Sequence, residues 1–121
     1  MAEQIVEILN EAENIAAYIS QKYNQDEGIV LMDRITTVNG YLGRLPKLLA
    51  DAKYLLNFAK AKAGDELKGD LSPTKMKMIV EGKVIQEQKI YDFIERLNSN
   101  LVHYHDGLRT QLSFLKSLNE Q

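Results

Sequence analysis

KVIQEQKIYDFIERLNSNLVHYHDGLRTQLSFLKSL, residues 83–118, is the stretch that decides the fold. It contains no proline. Ile90, Ile94, Leu97, Leu101, Tyr104, Leu108, Leu112, Leu115 and Leu118 follow one another at steps of three or four, which keeps them on one face of an α-helix. The spacing predicts a single helix over 83–118, roughly 50 Å long, and a helix of that length needs partners along it. Two successive steps of four around Leu108 make a stutter that locally relaxes a coiled-coil-like seam. Gly107 lies beside it and costs about 1 kcal/mol relative to alanine.

The partners lie upstream. Over 27–63, Leu31, Ile35, Val38, Leu42, Leu45, Leu49, Ala52, Leu56, Ala59 and Ala63 keep 4-3 spacing. Val30, Tyr41, Leu48 and Leu55 widen this stripe on one side, so that the helix can touch two neighbours. Pro46 removes one backbone hydrogen bond from it, and Gly40 and Gly43 precede the proline; a kink at Pro46, or a break near Gly43, is expected with the apolar phase kept across it. Over 3–23, Ile5, Ile8, Leu9, Ala12, Ile15, Ala16, Ile19 and Tyr23 share one face of a first helix. Asn24 is expected to close it and Asp26 to cap the next, through a link short enough to turn the chain back antiparallel.

Ser72-Pro73 marks a helix start, serine as N-cap and proline in the first helical position. A short helix over 73–81 should tuck Met76, Met78, Ile79 and Val80 against the end of the bundle, with Gly82 turning the chain into the last helix. The alternative is one helix from Pro73 onward. The fold class is therefore all-α, a single domain over 1–121: an antiparallel bundle of three main helices with a long central hairpin, a kinked second helix and a short extra helix.

With 121 residues and no cysteine, the chain is expected to have one core and no disulfide or thiolate chemistry. No apolar run is long enough to span a bilayer and no charged-then-apolar leader opens the chain, so a cytoplasmic protein without membrane contact is expected. The net charge of −2 hides a segregation: residues 1–33 hold Lys22 against seven acids, whereas residues 34–89 hold eleven basic and six acidic residues. The simpler reading is that the acidic first helix lies against the basic middle of the same chain. The other is a polyanion-binding surface in 44–83, with Lys60, Lys62, Lys68, Lys75 and Lys77 as contacts and Tyr54 and Phe58 as stacking surfaces. A sequence pI near 5.7 speaks against it.

The last helix carries the best candidates for chemistry. Asn98, His105 and Arg109 fall along one edge of the apolar stripe, where a polar layer fixing helix register is the expected role. His103, Asp106 and Thr110 fall on the far face. His103 and Asp106 are spaced to share a metal, but two ligands do not make a site, and His105 points elsewhere. No nucleophile motif, phosphate-cradling glycine loop or di-iron carboxylate repeat is present, so no enzyme activity, metal or cofactor is expected.

Arg96-Leu97-Asn98, Leu101, His103, Asp106-Gly107-Leu108-Arg109-Thr110, Leu112-Ser113 and Lys116, with Leu45, Leu49-Ala50-Asp51-Ala52 and Tyr54, resemble a group of small all-helical proteins encoded by phages and prophages of Bacteroides-type bacteria. The resemblance covers about half the chain. It implies a cytoplasmic phage or mobile-element context and supplies no activity or site. On it, His103, Asp106 and Arg109 are the positions to test first, because they lie outside the apolar seam; Tyr54 and Phe58, one turn apart opposite the main stripe of the second helix, are expected to add a second interaction face.

The first helix is too short to cover the long hairpin, and a second copy on a two-fold axis would cover the rest. A non-enzymatic, homodimeric interaction protein is the expected function, with a tetramer as the other assembly. A separate protein partner is also compatible, and an accessory nucleic-acid-binding protein is the alternative.

Overall fold

The computed structural model describes residues 2–67 and 69–120. Among them are four helices and no strand: α1 (Ala2–Ile19), α2 (Gly28–Asp65), α3 (Pro73–Lys83) and α4 (Ile85–Asn119). The fold is all-α, as expected. Lys68 lies outside the described residues.

The α2–α4 seam is the most extensive contact in the molecule. It runs antiparallel, because Leu112 near the end of α4 lies against Gly28 at the start of α2, while Val84 just before α4 clusters with Leu56 and Ala63. Leu31, Val38 and Leu45 of α2 and Ile94 and Leu101 of α4 have no exposed surface at all. The two apolar stripes thus find each other in the register that buries both.

α1 lies along one groove of this hairpin. Ile8, Ala12 and Ile15 are buried there, Tyr18 packs edge-on against Tyr41, and Glu11 reaches Arg44. This placement rotates the buried stripe of α2. Arg34, Leu48 and Leu55, on the α1 side, are buried, whereas Ile35, Leu42 and Leu49 on the opposite edge are only half-buried. The wide stripe does touch two helices, and its other edge is left without a third.

The expected break near Gly43 does not occur. α2 runs unbroken through Pro46, and the apolar phase continues from Leu45 to Ala52 and Ala63. Gly40 and Gly43 face open space, so no close approach within the chain requires them.

The helix ends depart from expectation in four places. α1 stops at Ile19 rather than near Tyr23: the Ser20 and Gln21 amides donate to carbonyls three residues back, and the Ser20 hydroxyl donates to the Ala16 carbonyl. Asp26 does not cap α2. The Asn24 side chain accepts from the Asp26 amide and donates to Glu27, the residue at the N-cap position. Gly82 is helical, and the chain instead breaks at Val84 (φ −114°, ψ 23°), which is drawn into the Leu56–Ala63 cluster. Only Val80 of the four apolar residues expected to tuck α3 in does so. Met76, Met78 and Ile79 are exposed, and no residue of α3 is buried. The Ser72 cap forms as expected, its hydroxyl accepting the Lys75 amide at 3.3 Å, with Pro73 first in the helix.

Candidate functional site

The most elaborate polar arrangement in the molecule surrounds Arg34, which is only 7% exposed. α2 projects it from the same buried stripe as Leu31 and Val38. Its guanidinium lies 4.3 Å from the Tyr18 ring centroid and 4.4 Å from that of Tyr23. Nε donates to the Tyr104 hydroxyl at 2.8 Å, and Nη2 donates to the Tyr18 backbone carbonyl, also at 2.8 Å. Tyr23 in turn meets Tyr104 edge-to-face at 6.2 Å. Burial, with Tyr104 beside it, pushes the Tyr23 phenol above its usual range.

Among the described residues no carboxylate pairs with Arg34. A buried charge without compensation is costly, and the compensation here is the end of α1. Tyr18 is in the last turn of that helix, where carbonyls lack intrahelical partners and the dipole is negative. α1 has no basic residue of its own in that turn. Arg34 therefore caps α1 from a neighbouring helix, and by bonding Tyr104 it joins α1, α2 and α4 at one point. The cluster fastens the fold.

Sequence reasoning missed this cluster. By sequence Arg34 is one of the eleven basic residues in 34–89, and Tyr104 is one position of an apolar seam. The available signal was an arginine in the i, i+4 register of a leucine stripe, three residues after Leu31 and four before Val38.

The polar layer expected at Asn98, His105 and Arg109 is not formed among the described residues. His105 is half-buried, and its Nε2 is buried without a hydrogen-bond partner. The polar tie between helices is made instead by Arg34 and the tyrosines. His103, Asp106 and Arg109 are all exposed. Asp106 and Arg109 share a shallow surface depression with Thr110 and Ser113, and His103 does not line it. Among the described residues no group of three or more His, Cys, Asp or Glu side chains is placed to hold a metal.

Tyr54 and Phe58 are exposed, their ring centroids 6.4 Å apart. Tyr54 lines an open cleft with Asp51, Leu55 and the Gln4, Glu7 and Ile8 side chains of α1. They are far along α2 from the turns that face His103 and Arg109, so the expected interaction residues fall on two separate surfaces.

The basic segment is diluted by acids. Residues 51–95, which span late α2, α3 and early α4, hold eight lysines and eight acids. Lys62, Lys75 and Lys77 are exposed and Lys60 half-buried. Lys77 lies 4.0 Å from Glu81, and Lys83 lies 3.7 Å from Glu66.

Among the described residues, one ion pair joins the acidic first helix to the basic middle of the chain. Arg44 donates through Nε and Nη2 to the two carboxylate oxygens of Glu11. That hydrogen bonding holds the Glu11 carboxyl below the usual range, against a smaller opposing effect of burial. A group with a lowered folded-state pKa contributes stability above its unfolded pKa and loses it as pH falls through the folded value. Stability therefore falls on acidification below about pH 4, and part of that fall belongs to Glu11. The Glu11→Gln variant should show a shallower acid limb in urea unfolding followed between about pH 7 and pH 3. An acid limb identical to that of the parent chain would show that the pair contributes nothing to the docking of α1.

No family model, curated protein or solved structure matches this chain. No helix among the described residues is long and apolar enough to cross a membrane.

Proposed function

We propose that this chain is a non-enzymatic interaction protein that works as a homo-oligomer, with a dimer as its basic unit. The observation that carries the reading is its surface. The chain exposes 8384 Å², whereas a compact monomer of 13.8 kDa exposes about 6,600 Å². The difference is about twice what one partner contributes to an interface of standard size. It arises from the proportions of the bundle: α1 is about 27 Å long and lies against a hairpin of more than about 50 Å. Exposed Ile29, Met32, Tyr54, Phe114 and Leu118 are part of that surface.

The absence of a reaction in this reading rests on the character of the clefts. They are open, and the groups whose titration is displaced are occupied within the fold: Glu11 and Arg44 pair α1 with α2, Tyr23 packs on Arg34, and Tyr91 is raised by hydrogen bonding to Glu95 one turn along its own helix. A cytoplasmic phage or prophage setting is part of the proposal, on the resemblance of the last helix.

Light scattering coupled to size exclusion tests it. At micromolar concentration the mass is expected to be twice 13.8 kDa. A mass of one chain at the highest soluble concentration would overturn the reading.

A further inference from the structure

The two ends of the bundle are not alike. At the end where α2 begins, Gly28 faces Leu112, yet α4 continues to Asn119, about two turns further. Among the described residues that overhang has only the start of α2 and the connector before it alongside. Leu115 is half-buried, Leu118 is 50% exposed and Phe114 55%. Beside it, Ile29 is 84% exposed and Met32 56%. Ile29, Met32, Leu115 and Leu118 line one open cleft, with Asp26 and Lys116 among the polar residues of its wall.

We infer that this cleft is the self-association surface: the α4 overhang of one copy lies in the cleft of a second copy, and the reverse, about a two-fold axis. The inference rests on the homo-oligomeric reading above and names its surface. Three observations select a second copy as the occupant. A two-fold contact must be self-complementary, and this surface holds both members of the fit, a projecting apolar helix end and an apolar cleft beside it. It also holds both members of a charge pair. Neither Asp26 nor Lys116 is ion-paired among the described residues, so Lys116 of one copy is free to meet Asp26 of the other. Finally, the chain as a whole exposes more surface than a standard interface needs, and this cleft is part of that surface.

The competing surfaces are the half-buried Ile35, Leu42 and Leu49 edge, flanked by exposed Val102, and the Tyr54 cleft. The first is already largely shielded by α4. The second is lined by Glu7 and Asp51, with no cation among its walls to answer them in a second copy.

Sedimentation equilibrium on the full chain and its variants tests the assignment, with circular dichroism to confirm helix content. Leu118→Asp and Met32→Asp are each expected to raise the dimer Kd roughly thirty-fold or more, the loss of a central apolar contact. Lys116→Asp should weaken the dimer about two- to fivefold, the size of an exposed ion pair. The double variant Lys116→Asp, Asp26→Lys should recover it, which a merely misfolded chain would not do. A dimer that survives all of these changes but dissociates on Val102→Asp or Tyr54→Asp would overturn this surface and leave the oligomeric reading intact. A parent chain that is monomeric throughout would overturn both.

Discussion

Replacing Arg34 with alanine is expected to lower the free energy of unfolding by about 3 kcal/mol. Three losses combine. Two hydrogen bonds from a charged donor disappear, leaving the Tyr18 carbonyl with one fewer partner and the Tyr104 hydroxyl without a donor. The stacking of the guanidinium on Tyr18 and Tyr23 is lost, worth about 0.5–2 kcal/mol in a desolvated site. A cavity opens between three helices. For a chain of this size the melting temperature should fall by about 10 °C. Amide exchange should accelerate first in α1, whose C-terminal end Arg34 caps. Arg34→Lys should recover only part of the loss, because an ammonium group cannot stack on two rings while donating in two directions. Arg34→Met supplies the decisive comparison. If methionine restores full stability, the guanidinium acts as bulk, and its capping role is wrong.

Pro46→Ala is expected to act in the opposite direction and raise stability by about 2 kcal/mol. Proline in a helix interior is disfavoured by about 3 kcal/mol relative to alanine, and alanine returns only about 0.4–1 kcal/mol of freedom to the unfolded chain. The replacement supplies an amide to the Leu42 carbonyl, and the site is exposed, so nothing in the core has to move. Urea unfolding would read the gain as a higher midpoint with an unchanged slope. A lower midpoint would mean that the path α2 takes around α1 and α4 depends on the proline. A higher midpoint with loss of the dimer would give the proline a part in assembly.

The long elements were legible because their signal is repeated many times. Nine apolar residues at helical spacing in α4 and ten in α2 leave one consistent solution, and the two stripes then pair by burying each other. Ser72-Pro73 was legible for a different reason, since the cap is local and its two residues act on their own helix. What remained hidden depended on which elements meet. Arg34 looks like any other basic residue until α1 and α4 bring three tyrosines to it. The half-burial of Ile35, Leu42 and Leu49 follows from α1 choosing one groove of the hairpin, and no residue spacing distinguishes the two grooves. Gly82 was the plausible turn by composition, yet burial of Val84 decided where the chain bends. For the candidate site the position is harsher. His103, Asp106 and Arg109 were named from one helix, and the fold brings no second element to them.

The antiparallel seam between α2 and α4 also sets an order of assembly. Its closed end, where Ala63 and Val84 meet, joins residues 21 positions apart, while its open end joins Gly28 to Leu112, 84 positions apart. Closing a short loop costs less entropy than closing a long one, so the seam zips from the α3 end towards the α4 overhang. Arg34 bonds both the Tyr104 hydroxyl of α4 and the Tyr18 carbonyl of α1, so this clasp is complete only when all three helices are in place.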